Sequence, residues 1–227
     1  MDITALGKKM RFAIFDMDGT LVDSLPFFKI FWRKVGEKFY NDFSFTPPLY
    51  IDKKIRTTPL AEAAYFIRRE LDLNCSDDEF FEFISGVMDE FYENDARLKI
   101  GVKEYLGSLR RCGVKMCVAS ASSAEYIKYN LNKFGISDYF DFVVSCADVG
   151  AGKNRPDVYL KALQNFGAEL CETCVFEDSF VALETAKKAG FITVGIHDDG
   201  NYDHDKLKAS SDFYLDSKMT FKDLICK

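Results

Sequence analysis

Residues 12–24 read Phe-Ala-Ile-Phe-Asp-Met-Asp-Gly-Thr-Leu-Val-Asp-Ser. A short apolar run ends abruptly at two carboxylates, Asp16 and Asp18, followed by Gly19 and Thr20. Phe12 to Phe15 is apolar throughout, as parallel strands covered on both faces are, and reads as a buried strand. Open parallel sheets place their ligands just beyond the carboxyl ends of their strands. Two acids at that point, with a glycine that lets the backbone approach a ligand, suggest a metal-assisted chemical site. A strand-to-turn junction with solvated aspartates accounts for the same residues, since Asp and Gly are ordinary turn formers. The rest of the chain decides between the two.

From about residue 100, apolar runs alternate with amphipathic stretches. Val114 to Ala119 reads as a strand and Ala124 to Phe134 as a helix with Ile127, Leu131 and Phe134 on one face. Phe142 to Ser145, Cys174 to Phe176 and Ile192 to Ile196 read as further strands. Helices over Asp157 to Phe166 and over Phe180 to Ala189, the latter stopped by Gly190, separate them. Such alternation predicts an α/β fold with a parallel sheet.

Residues 23–95 are different. They show no β alternation but repeat apolar residues at helical spacing: Phe27, Phe28, Phe31, Trp32 and Val35, then Ala61, Ala64, Tyr65 and Leu71, then Phe80, Phe83, Ile84, Val87 and Phe91. Sixteen of the 34 aromatic residues fall here, as a small helical bundle needs large side chains to fill its core. Helices inserted directly after the acidic strand end are expected to form a cap over the site. The predicted organisation is a core of residues 1–22 and 96–227, with a helical cap domain at 23–95.

Composition narrows the function. The formal charge of -6 and a pI near 5.1 argue against nucleic acid or an anionic membrane as a main partner. No apolar run reaches the roughly 20 residues needed to cross a bilayer. Lys8 and Lys9 precede an apolar stretch that Arg11 and Asp16 interrupt, so no signal peptide is expected. Seven cysteines, an odd number, read as reduced thiols of a cytoplasmic protein. Cys171 and Cys174 form a single C-x-x-C, with no second pair at zinc spacing. A monomer and a homodimer both remain open.

The other strand ends should face the same crevice. Val114 to Ala119 runs into Ser120, Ala121, Ser122 and Ser123, where hydroxyls and backbone N–H groups at a helix start could hold phosphate oxygens. A plain serine N-cap is the alternative. The loop Gly150 to Asp157 carries Lys153, a compact charge able to reach a phosphate. Cys174 to Phe176 ends in Glu177, Asp178 and Ser179. Acids at two strand ends, a lysine and a serine are the parts of a magnesium-dependent phosphoryl-transfer site.

These motifs resemble the haloacid dehalogenase-like phosphohydrolase superfamily, in its beta-phosphoglucomutase-like and phosphoglycolate phosphatase-like branch. Asp16 to Ser24 matches the whole of that family's first motif, and Ser120 its second. Lys153 stands before Pro156-Asp157 as in the third, although Asn154 replaces a usual proline. Glu177, Asp178 and Ser179 match the fourth, with Ala182 in place of a frequent glycine. All four occur in order across the core. The resemblance implies a Rossmann-like doubly wound sheet with an inserted α-helical cap. It also implies that Asp16 is the nucleophile, forming an aspartyl-phosphate, and that Asp18 serves as general acid and then base, its pKa raised by neighbouring acids. Mg²⁺ would be bound by Asp16, the Asp18 carbonyl and Asp178, with Glu177 orienting the shell or binding through water. Gly19, Thr20, Ser120, Ala121, Ser122 and Lys153 would surround the phosphoryl group.

In the family's dehalogenases and phosphonate hydrolases the second aspartate is replaced, so Asp18 favours a phosphatase or phosphomutase. Sugar-phosphate members carry a Glu and a His shortly after the first motif; here the residues are Leu25-Pro26-Phe27-Phe28. That departure weakens the mutase reading, because a mutase must shield its aspartyl-phosphate within a polar, closely fitted cap. The basic stretch from Lys53 to Thr58, with Arg56, could contact a second anionic group of the substrate; a solvated turn is the alternative. The expected activity is phosphate release from a small phosphorylated metabolite. A phosphomutase, and a non-catalytic relative binding a phospholigand or a protein, are the competing readings.

Overall fold

The computed structural model describes residues 10–56, 58 and 60–225. Lys8, Lys9 and Thr57 lie outside the described residues. The strands are β1 (Phe12–Phe15), β2 (Val22–Asp23), β3 (Arg97–Leu98), β4 (Lys115–Ser120), β5 (Phe142–Ser145), β6 (Thr173–Glu177), β7 (Ile192–Ile196) and β8 (Phe213–Leu215). Six of them form one sheet in the order β5-β4-β1-β6-β7-β8, every neighbouring pair parallel. The fold is α/β with a parallel sheet, as the alternating runs predict, and its Rossmann-like strand order is the one the family resemblance implies.

The two faces of β1 explain why its four residues are all apolar. Ile14 faces a layer that includes Val175, Cys117, Ala119, Val158, Tyr159 and Ala162, supplied in part by the helix Asp157–Phe166. Phe15 faces the other way, stacked on Phe176 at 4.3 Å between ring centroids. Tyr105, from the helix Val102–Arg111, reaches the same ring at 6.0 Å and Phe221 at 5.7 Å. Helices on both faces bury Ala13, Ile14 and Phe15 completely and leave Phe12 half-buried.

Topology then locates a crevice. β4 and β6 flank β1; from β4 the chain moves outward to β5, and from β6 it moves outward on the other side to β7 and β8. Strand order reverses at β1, and ligands of open α/β sheets bind beyond the carboxyl ends of the strands at such a point. Phe15 pairs with Val118 of β4 and Phe176 of β6, so Asp16 emerges level with Glu177 and with Ala119, one residue before Ser120.

The chain divides into two compact units: residues up to Asp23 with those from Arg97 onward, and Ser24–Ala96. Both chain crossings between them are tied by a small ribbon, in which Val22 pairs with Leu98 and Asp23 with Arg97, antiparallel. The second unit is helical, with helices Pro26–Val35, Leu49–Ile55, Leu60–Glu70 and Asp77–Asn94. The last starts in a reciprocal capping box: Glu79 N donates to Ser76 Oγ at 3.1 Å, and Ser76 N to Glu79 Oε2 at 2.7 Å. Its core is aromatic, with Phe31 packed on Trp32 at 4.8 Å and on Phe27 at 5.6 Å, and Phe27 on Phe91 at 5.8 Å.

The six described cysteines are free thiols, with Cys171 exposed and Cys174 buried in β6. No helix among the described residues is long and apolar enough to cross a membrane.

Phe176 is fully buried between Phe15 and Tyr105. Truncating it to alanine leaves an unfilled cavity, so Phe176→Ala is expected to cost about 3–5 kcal/mol. Urea unfolding would show this as a lower midpoint at unchanged slope; a loss under about 1 kcal/mol would mean the site collapses around the cavity.

Candidate active site

Residues 16–22 fold back tightly where β1 ends. Asp16 N still donates to Phe176 O at 3.0 Å, extending the sheet by one bond. Leu21 N and Val22 N both donate to Met17 O, at 3.0 and 2.9 Å, and Gly19 N donates to Val22 O at 2.9 Å. Gly19 has φ +78, and a Cβ there would lie 2.3 Å from Asp178 Oδ2. Only glycine meets both demands. Thr20 Oγ1 donates to Asp178 Oδ1 at 3.0 Å. The first strand end is thereby locked onto the loop after β6.

Asp16, Glu177 and Asp178 are all buried and can bring one oxygen each within 4.8 Å of one another. Lys153 arrives from the loop before the helix Asp157–Phe166 and pairs with both Asp16 and Glu177. Tyr159 Oη donates to Glu177 Oε1 at 2.7 Å. On Asp178, Asn201 Nδ2 donates to Oδ2 at 2.6 Å and to the backbone carbonyl at 3.1 Å.

Burial and charge set the protonation. Burial pushes Glu177 up to about 7, against the pull of Lys153. Asp16 is also raised by burial, opposed by Lys153. Asp178 is raised well above the carboxylate range by burial and then by the charges of Asp16 and Glu177. Burial alone would lower Lys153, but Asp16 and Glu177 outweigh it and hold the ammonium above its ordinary value. Only when all three carboxyls give up their protons, as binding of a cation would require, does one ammonium leave two negative charges in excess. Anionic oxygen donors with that imbalance fit a hard divalent cation.

The remaining predicted residues fall in three places. Asp18 accepts from Ser122 Oγ at 3.4 Å and bridges to Val22. Ser120, at the end of β4, is buried and accepts from Ser122 N at 3.2 Å; Ala121 is exposed between them. The N-cap of the next helix is Ser123, which accepts from Tyr126 N at 3.3 Å, so capping does not explain Ser120. Arg56 lies in the helical unit rather than in a solvated turn. Lys53 and Lys54 belong to the helix Leu49–Ile55, and Arg56 Nε donates to buried Asp52 at 2.9 Å with its guanidinium 4.1 Å over Phe28. Trp32 Nε1 holds the other oxygen of Asp52. Phe27 is buried within that unit and Phe28 is half-buried.

Sequence reasoning missed Tyr159 and Asn201. Tyr159 reads as one more apolar position of a helix, and its hydroxyl gives no sequence signal. Asn201 lies in the polar stretch after β7, a strand end like those that supplied the other residues, and applying the same rule to β7 would have singled it out.

A parallel α/β protein whose buried carboxylates and lysine meet at the strand-order reversal has the donor set for a cation and for an anionic ligand. The chain belongs to the haloacid dehalogenase-like hydrolases, whose family model matches residues 13–196. It is similar to the phosphorylated carbohydrates phosphatase of Thermotoga maritima, 27% identical over 80% of this chain and 82% of the relative. It is also similar to the fructose-1-phosphate phosphatase of Escherichia coli, 27% identical over 81% of this chain and 94% of the relative. A solved beta-phosphoglucomutase of Clostridium difficile shares the fold at a TM-score of 0.71 and 20% identity, covering 92% of this chain and 91% of that one.

The raised carboxyls have a consequence for stability. Between its ordinary 4.5 and about 7, Glu177 holds a proton in the folded protein that the unfolded chain releases. Its contribution is full below the lower value and lost as pH rises through the upper one, and Asp16 and Asp178 act in the same direction. In EDTA, the melting temperature is therefore expected to fall from about pH 5 to about pH 8. Added Mg²⁺ should flatten that fall; a flat or rising profile in EDTA would contradict the assignment.

Proposed function

We propose that this hydrolase acts on phosphate monoesters, releasing phosphate from a small phosphorylated metabolite by way of an aspartyl-phosphate on Asp16, with Mg²⁺ as its cation. The observation that carries the reading is the buried Asp16–Lys153–Glu177–Asp178 cluster at the reversal of strand order. The names of the Thermotoga maritima and Escherichia coli relatives support phosphorylated carbohydrates as the substrate class.

Asp16 Oδ attacks phosphorus while the bond from phosphorus to the ester oxygen breaks. Asp18 gives its proton to that leaving oxygen, and the alcohol departs. Asp18, now a base, takes a proton from water; the water oxygen attacks phosphorus, the bond to Asp16 breaks, and phosphate leaves with Asp16 restored. Splitting one displacement into two is the gain from a covalent nucleophile. Lys153 and Ser120 hold the phosphoryl oxygens, with Lys153 offsetting their charge. Asp16, the Asp18 carbonyl and Asp178 would hold Mg²⁺, with Glu177 keeping Lys153 and the shell in place. When bound, the cation supplies the positive charge that a phosphate dianion needs beside buried carboxylates. Thr20 and Gly19 serve the site by fixing Asp178.

Steady-state phosphate release from a panel of phosphorylated sugars and small acids tests the reading. Turnover should require Mg²⁺, vanish with EDTA, and fall below detection in Asp16→Asn. Asp18→Asn should lower kcat by about 10²–10⁴-fold, since it removes the acid and base but leaves the nucleophile. Full activity in Asp16→Asn would exclude the covalent route.

A further inference from the structure

The acids of the cluster are held in two different ways. Asp16 and Glu177 share a cation, Lys153. Asp178 is held by neutral donors, the Thr20 hydroxyl on Oδ1 at 3.0 Å and the Asn201 amide on Oδ2 at 2.6 Å. The same Asn201 nitrogen also donates to the Asp178 carbonyl at 3.1 Å. Both of its partners are acceptors, so the amide nitrogen rather than its oxygen must face them. One side chain thus fixes both the backbone and the carboxylate of a single residue.

Asn201 is itself fixed. Its N–H donates to Asp198 O at 3.0 Å, and Gly200 N donates to Asp198 Oδ1 at 2.8 Å, closing the turn after β7. Lys99 pairs with the buried Asp198 at 2.6 Å, while its own N–H donates to Leu21 O at 2.9 Å in the segment that carries Gly19 and Thr20. The two donors to Asp178 therefore come from segments that Lys99 ties together.

We propose that Asn201 is a positioning residue for the divalent cation: its neutral amide aims the Asp178 carboxylate without neutralising it, leaving the excess negative charge where the cation is bound. The inference rests on the metal-dependent reading above. A cationic residue at 201 would hold Asp178 equally well but would cancel the charge the metal needs. Outer partners of metal-binding carboxylates typically change metal affinity by about 10–100-fold when removed.

The test is binding of Mn²⁺ alone to the full chain, followed by loss of the free-ion electron paramagnetic resonance signal. The set comprises wild type, Asn201→Ala, Asn201→Ser and Asp178→Asn. Asn201→Ala should weaken binding by about 10-fold or more. Its metal-free melting temperature should stay within about 3 °C of wild type, the shift that about 1 kcal/mol from one hydrogen bond produces in a chain of this size. Asn201→Ser keeps a shorter donor and should fall between, and it carries the test if the alanine variant does not fold. Phosphate release by Asn201→Ala should recover at saturating Mg²⁺, which a merely structural defect would not allow. Wild-type affinity in both Asn201 variants would overturn the inference while leaving the metal reading intact. Wild type and Asp178→Asn binding equally, or neither binding, would overturn both.

Discussion

Everything at this site follows from burying three carboxylates almost completely in one place. Burial disfavours the charged form of each, and each charge disfavours the others. Lys153 resolves part of the conflict by lying between Asp16 and Glu177, and burial makes that pairing strong because little water screens it. It cannot satisfy all three. Asp178 has neutral partners, so no ammonium offsets its charge when it ionises. A site arranged in this way is most stable with something positive in it, which is how a fold can reserve a place for a cation and an anionic substrate together.

The backbone requirements are as strict as the electrostatic ones. Asp178 can approach the β1 turn only because residue 19 lacks a Cβ and adopts a left-handed conformation. That turn can fold back only because Met17 O accepts two N–H groups at once. The turn and the loop after β6 are adjacent because β1 and β6 are neighbours in the sheet. Sheet order, one glycine and one threonine hydroxyl thus determine where a carboxylate sits. This explains why a motif of nine residues carries so much: beside Asp16 and Asp18, Met17, Gly19, Thr20 and Val22 each have a geometric task.

In the helical unit, side-chain size and one buried ion pair do comparable work. Phe27, Phe31, Trp32 and Phe91 fill the space between short helices that could not otherwise bury enough apolar surface. Within that packing, Asp52 is buried with both oxygens engaged, by Trp32 and by Arg56. Arg56 is therefore stiffly held over Phe28 rather than waving in solvent. A basic stretch that looks like a turn in one dimension is a helix end whose guanidinium has a carboxylate and an aromatic ring as partners.

The sequence by itself determined the α/β class, the strands carrying the acids, the helical insert, and Asp16, Lys153, Glu177 and Asp178 as residues that meet in space. These are legible because apolar runs and the residues that end them are local features. Strands of two or three residues, such as the β2–β3 ribbon and β8, left no periodic trace and exist only through their partners. Tertiary structure alone decided that Lys153 bridges Asp16 and Glu177, that Ser123 rather than Ser120 caps its helix, and that Tyr159 and Asn201 serve the cluster. The physical reason is the same in each case. A hydrogen bond between residues 178 and 201 depends on two loops meeting in space, and no spacing along the chain records that meeting.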